Sequence, residues 1–206
     1  NGAFDLSAIK RLYAHKIAEE SLTMTVIRRL TARAEAQLDT LFSELALGLS
    51  PDSEPEQSFS AISPSGLSMY GKIDRIDTLD DQTIRIVDYK TGKPITNPHS
   101  KSQDVLLKQW RHKLQLGFYI LLLKQQKAYA HKRIEAQIIQ LDATAPEQLI
   151  LNYTFGEDEL RDIERLALSV YKRIKSLDIP DVTSFEPTLS GIRDFEAWLL
   201  AHVTGK

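Results

Sequence analysis

Asp88-Tyr89-Lys90 is the segment of this 206-residue chain whose residue types and spacing most directly suggest chemistry. It closes the β-rich run Thr83-Ile84-Arg85-Ile86-Val87-Asp88. Side chains alternate along a strand, so Ile84, Ile86, Asp88 and Lys90 are expected to project to one face. Two apolar residues then lead into a carboxylate and an ammonium, charges that are expensive to bury unless they serve each other or a metal. Asp74, on the neighbouring strand before the polar turn Leu79-Asp80-Asp81-Gln82, could bring a second carboxylate alongside. Two carboxylates with open water positions suit Mg²⁺ (or Mn²⁺), a hard cation that prefers oxygen ligands and keeps several waters. Lys90 would sit beside the metal, able to position an attacking water or to stabilise charge building on a phosphate. Taken alone, Asp-x-Lys is a common tripeptide, and a surface ion pair closing a strand is the competing reading.

The charge distribution adds a second hint. The chain has 26 Lys+Arg against 28 Asp+Glu, a net charge of −2. Between Lys101 and Arg133, however, eight basic residues face one acid, Asp104, so that segment is +7 and the remainder −9. A basic block in an acidic chain can mark a surface facing polyanions such as nucleic acid, or simply a solvated helix face. The absence of cysteine excludes a disulfide framework, a Cys-ligated zinc site, an iron–sulfur cluster and a thiol nucleophile, and it fits a reducing cytoplasm. No apolar run reaches the ~18 residues of a membrane span and no signal-peptide pattern opens the chain, so no membrane partner is expected.

The elements that must position these residues follow from periodicity. Leu6, Ile9, Leu12 and Tyr13, then Ile27, Leu30, Ala34, Leu38, Leu41 and Leu45, recur at helical spacing. Residues 1–48 are therefore read as helical, with Gly48 as a stop and Pro51 and Pro55 as a break. The opening Asn1-Gly2-Ala3, without an initiator Met, is read as the start of an excised fragment of a longer protein. From Glu56 the period changes: Phe59 and Ala61, then Leu67 to Asp77, fit two extended segments around Pro64-Ser65-Gly66. A helix is expected from about Val105 to Lys127, strands over 134–141 and 149–155, a helix from Glu157 to Ile174, and a short last helix around Phe195 and Trp198. The expected fold class is mixed α/β with a mostly antiparallel meander. We expect one domain over 1–206: N-terminal helices (1–48), a motif-bearing core (56–155) and C-terminal helices (156–206).

Three motifs now stand in order: Gly71-Lys72-Ile73-Asp74-Arg75-Ile76-Asp77, Asp88-Tyr89-Lys90-Thr91-Gly92-Lys93, and Gln115 with Tyr119 at i,i+4 on the following helix. Together they resemble the RecB-like PD-(D/E)XK nucleases, especially those fused to the C-terminus of UvrD-like superfamily 1 DNA helicases. The resemblance covers roughly Glu56 to the end and implies the αβββαβ core of that family. It implies that Asp74 and Asp88 bind metal, with the backbone carbonyl of Tyr89 as a further ligand, and that Lys90 is the catalytic lysine. Gln115 and Tyr119 would brace the site and touch the DNA strand, although packing alone would also account for Tyr119. Glu56 matches an acidic residue on the family's first strand, with a plain edge-strand charge as the alternative. Many members carry a metal-binding His on an early helix, but His15 lacks the flanking residues of that motif and is read as a helix-surface histidine. The iron–sulfur cluster of some relatives cannot form without cysteine.

Other patterns carry less. Gly66 to Lys72 spells most of a P-loop, but Ile73 replaces the required Ser/Thr and the segment reads as strand. Asn152-Tyr153-Thr154 is a glycosylation sequon with no use in the cytosol. His99, His112 and His131 lack metal-ligand spacing, but His112 shares a helix face with Lys108, Gln115 and Tyr119. With Arg111, the residues Lys108, His112 and Tyr119 form the expected DNA-contacting track. The expected function is a Mg²⁺-dependent DNA nuclease, exonucleolytic on single-stranded DNA in repair or recombination. Helicase domains would lie in the same polypeptide. The alternative is a nuclease-fold module that binds DNA or a partner without cutting.

Overall fold

The computed structural model describes residues 5–45 and 52–202 of the chain. Gly48, Pro51 and the Asn1-Gly2-Ala3 start lie outside the described residues. The elements run α1 (Leu6–Ala18), α2 (Met24–Leu45), β1 (Ser53–Ile62), β2 (Ser68–Thr78), β3 (Thr83–Lys90), α3 (Gln103–Lys124), β4 (Arg133–Gln140), β5 (Ile150–Tyr153), α4 (Glu157–Ser176) and α5 (Leu189–Ala201). The strands form one sheet in the order β1-β2-β3-β4-β5. This is the expected mixed α/β architecture, with the αβββαβ order flanked by extra helices.

Strand directions follow from the register. Ser53 pairs with Asp77 and Ile62 with Ser68, so β1 and β2 are antiparallel; Arg75 pairs with Val87 and Thr78 with Ile84, so β2 and β3 are too. Between β3 and β4 the backbone bonds join Arg133 N to Gln82 O and Leu141 N to Lys90 O, start beside start and end beside end. That is a parallel pair, and α3 provides the long crossover that parallel strands need. The meander is therefore confined to the first three strands. Pro55 does not break the chain here but lies inside β1, opposite Arg75. β1 is the sheet's edge, where proline is tolerated because its outward side needs no donor.

The contacts divide the chain into two compact units. The first comprises 1–51, 89–96 and 138–151; the second comprises 52–88, 97–137 and 152–206. In the first unit, Asp5 caps α1 by accepting from Ala8 N at 2.9 Å. α1 packs on α2, with Lys10 bonded to Asp39. Arg33 and Gln37 of α2 both bond Asp142, tying the helix to the segment after β4. Its buried residues include Ile95, Ile138, Ile139, Ala143 and Leu149.

The second unit holds the larger core. Leu67 and Met69 pack with Leu121 and Leu122 of α3, flanked by Phe59, Phe118, Ile163 and Leu168. Two glycines set how closely α3 approaches its neighbours. A Cβ on Gly117 would collide with Ile163, so its absence lets α4 lie against α3. A Cβ on Gly71 would meet Leu122 Cδ2 at 3.0 Å and Tyr119 Cε1 at 3.2 Å, so its absence seats Tyr119 on β2. At the far end, Thr188 caps α5 by accepting from Gly191 N. The buried Arg173 reaches Asp178, His202 O and the face of Trp198, fastening α4 to the last turn of α5.

Candidate active site

Within the second unit, β2, β3 and α3 bring polar residues together at one point. Arg75 and Val87 are register partners, so Asp74 and Asp88 are the next residues along their respective strands. Asp88 is 3% exposed although it is a carboxylate, while Asp74 is half-buried. Burial of that kind requires hydrogen bonds. α3 supplies one, as Gln115 Nε2 donates to Asp88 Oδ1 at 2.7 Å. The same amide nitrogen donates to Tyr119 Oη at 2.9 Å, one helical turn further on. Gln115 thus links the strand carboxylate to the ring that Gly71 admits onto β2. The helical spacing of Gln115 and Tyr119 was legible in the sequence; the role of Gly71 was signalled only by its place in the motif.

Lys90 and Tyr89 follow Asp88 on the same strand and belong to the first unit. Both are half-buried, and Lys90 O accepts the backbone bond from Leu141 N at 2.8 Å.

The sequence model of the PD-(D/E)XK nuclease superfamily matches residues 4–186. The chain belongs to that superfamily. Among solved structures, this nuclease-superfamily chain is similar to a Eubacterium rectale protein described as a "putative exonuclease". There the identity is 11%, the TM-score 0.47, and the match covers 87% of this chain and 71% of the other. It is also similar to the protein designated SSO0001, at 14% identity and a TM-score of 0.34, covering 82% of this chain and 88% of the other. Among curated proteins none matches.

The remaining expected residues of this superfamily chain fall into three places. Glu56 is exposed on β1 and bonds Lys72 Nζ at 2.6 Å, which raises the Lys72 pKa through that bond and the carboxylate's charge. Its backbone has a positive φ of 51°, uncommon for a residue other than glycine. His15 is exposed on α1 and faces Glu19 one turn away, as a helix-surface histidine does.

On α3, Lys108 is half-buried and Arg111 exposed, but His112 is 3% exposed and bonds Tyr153 Oη through Nδ1 at 2.9 Å. The strand-contacting role expected of His112 is thus corrected, because a side chain closed off from solvent offers no surface to a polymer. Burial pushes the Tyr153 hydroxyl up to about 12, so it stays protonated and able to donate. Tyr153 also lines a cavity of about 820 Å³ whose walls come from α3, α4 and α5.

The basic block is likewise partly consumed. Lys113 pairs with Glu159, Lys124 donates to the carbonyls of Ala130 and Lys132, and Arg133 pairs with Glu135. Lys101, Arg111 and Lys127 are exposed.

Among the described residues no three His, Cys, Asp or Glu side chains gather around one point to hold a metal. The donor set at Asp74 and Asp88 nevertheless fits a hard divalent cation. Mg²⁺ is held by one or two carboxylates with water completing its shell, and no thiolate competes here. Among the described residues, no helix is long and apolar enough to cross a membrane.

Proposed function

We propose that this chain is a metal-dependent deoxyribonuclease domain of the RecB-like type, hydrolysing phosphodiester bonds in single-stranded DNA exonucleolytically. Its setting is a helicase–nuclease polypeptide acting in DNA repair or recombination in the cytoplasm. The observation that carries the reading is the buried carboxylate of Asp88, bonded by Gln115 of α3, whose amide also bonds Tyr119, with Asp74 opposite it on β2.

In this reading Asp74, Asp88 and the carbonyl of Tyr89 hold Mg²⁺ or Mn²⁺. The ion, when bound, supplies Lewis-acid polarisation of the phosphate and a water acidic enough to attack at neutral pH. Gln115 keeps Asp88 from rotating, leaving the carboxylate in one orientation along β3. Lys90 places its ammonium where charge develops on the phosphate oxygens, which is most effective where water is excluded. Tyr119, Arg111 and Lys108 form the α3 face that takes the DNA backbone, and Glu56 contributes from β1 through Lys72. The exposed Lys101, Arg111 and Lys127 of the basic segment would contribute attraction to a polyanion, a salt-dependent term.

The test uses this chain with Mg²⁺ or Mn²⁺ and end-labelled single-stranded DNA. Cleavage is expected, with loss of activity in Asp88→Ala and in Lys90→Ala. Activity surviving both substitutions would sink the assignment. A second reading, a nuclease fold that binds DNA without cutting, draws on the two-carboxylate donor set, which has no third side-chain ligand among the described residues. It predicts salt-sensitive binding with no cleavage under either metal.

A further inference from the structure

Gln140, at the end of β4, is 1% exposed and is the most deeply buried uncharged polar side chain among the described residues of the first unit. Its position in the sequence, between Ile139 and Leu141, gives no hint of a role. Its carboxamide accepts from Ile95 N at 2.7 Å through Oε1. Through Nε2 it donates to Ile95 O at 3.2 Å and to Gln148 O at 2.6 Å. Both backbone groups of one residue are thus held by one side chain. The next residue, Leu141, donates its backbone N–H to Lys90 O at 2.8 Å. Two consecutive residues of the 140–141 segment therefore hold both ends of the Lys90–Ile95 segment, which carries Thr91, Gly92, Lys93 and Pro94 between them. Gln140 is itself fixed by its own N–H to Leu149 O at 2.8 Å and by Ala143 N donating to its carbonyl at 3.0 Å.

A buried amide with three good bonds to backbone is a rigid anchor, since every bond lost would leave an unsatisfied group inside. A surface loop bonded at one end only would let the last strand residue fray. Held at both ends, the loop denies Lys90 that freedom. We infer that Gln140 is a positioning residue: it clamps the loop after β3 and thereby fixes the end of the strand that carries Lys90. The inference deepens the nuclease reading and rests on it for the role of Lys90. It assigns the clamp to a residue outside all three motifs. Supporting partners of a reacting group typically change activity by ~10–100-fold when removed, and small misplacements act on the chemical step more than on binding.

The experiment compares the chain with Gln140→Met, which keeps the length and removes every polar atom. Gln140→Asn, which keeps the amide but shortens its reach, is a second variant in case the first does not fold. Ser169→Ala, at a buried hydroxyl in the second unit bonded to Leu199 O, serves as a control. In folded protein we expect kcat on single-stranded DNA to fall ~10–100-fold with KM unchanged, and amide exchange over 89–96 to accelerate while that of α3 stays as it was. The control should change neither. Unchanged exchange over 89–96 overturns the clamp whatever the activity does. Faster exchange with kcat intact in an active parent overturns the positioning role. A parent that cuts nothing with either metal removes the nuclease reading, and the exchange measurement still decides the clamp.

Discussion

Two buried carboxylates of the second unit, Asp77 and Asp88, sit on adjacent strands of one sheet and are held in opposite ways. Asp77 is fully buried and gripped by Arg75, with Nε at 2.9 Å from Oδ1 and Nη2 at 3.0 Å from Oδ2. Ser53 Oγ adds a bond at 2.6 Å from the start of β1. That carboxylate is matched by a cation two residues away on its own strand and by a hydroxyl from the edge strand. Asp88 instead takes a bond from the carboxamide of Gln115, a group that orients a carboxylate without neutralising it. An ion pair closed within the fold serves architecture; a carboxylate oriented by an amide donor suits the cation-holding role proposed for Asp88. Both belong to Asp-containing motifs, so the difference between them lies in their partners.

The largest contrast comes from removing each charge with its isostere. Asp77→Asn leaves the Arg75 guanidinium buried beside a neutral amide, and breaking a buried pair in this way costs about 3–5 kcal/mol. The folded fraction should still cut DNA. Asp88→Asn should do the reverse, with activity falling on the order of 10³-fold, the scale for removing one electrostatic group at a reacting centre. Its unfolding free energy should stay close to that of the parent. Denaturant titration and single-turnover cleavage on both variants check this. A stability loss for Asp88→Asn as large as that for Asp77→Asn would erase the distinction.

Gln115 separates orientation from charge. Gln115→Leu retains bulk on α3 while removing the donor to Asp88 and the bond to Tyr119. Activity should fall by ~10–100-fold, the range for groups that orient a ligand rather than act themselves. The apparent Mg²⁺ requirement should rise in the same titration. A variant with parental rate at every Mg²⁺ concentration would mean that Asp88 needs no support from α3.

How far these features could be read from sequence depends on how local their causes are. The strand pattern put Asp88 on β3, and the i,i+4 spacing put Gln115 and Tyr119 one turn apart on α3, because each signal spans only a few residues. The bounds of α3, Gln103–Lys124 against an expected 105–127, slipped because its last turn gives way to the 125–132 segment, whose carbonyls Lys124 bonds. Pro55 was misjudged because proline breaks a central strand but not an edge, and edge position is a property of the whole sheet. The basic block overstated the free charge because Glu159, the partner of Lys113, lies 46 residues away. His112 was misplaced for the same reason, since its partner Tyr153 is 41 residues on. Gln140 was invisible because its importance resides in three backbone groups, which any sequence would supply.

That same His112–Tyr153 pair gives the smallest predicted effect and the cleanest control on the comparison, because it is buried polar structure with no carboxylate. Tyr153→Phe removes the hydroxyl that His112 Nδ1 contacts, a change of about 1 kcal/mol near neutral pH. Cleavage should be unaffected. The alkaline limb carries the sharper signature. Burial raises the Tyr153 pKa from the ordinary 10.0 to about 12, so the unfolded chain gives up this proton at lower pH than the folded one. The contribution is fully present below pH 10 and is lost as pH rises through 12, because ionisation then favours the unfolded state. Tyr153→Phe should therefore show a shallower loss of stability above pH 10 than the parent. Tyr129, whose pKa burial also raises, keeps some slope in both proteins. Denaturant midpoints measured from neutral pH to above pH 11 decide the matter. Parallel curves would mean that the Tyr153 hydroxyl meets solvent freely, and the pair could then no longer be counted as buried structure beside Asp77.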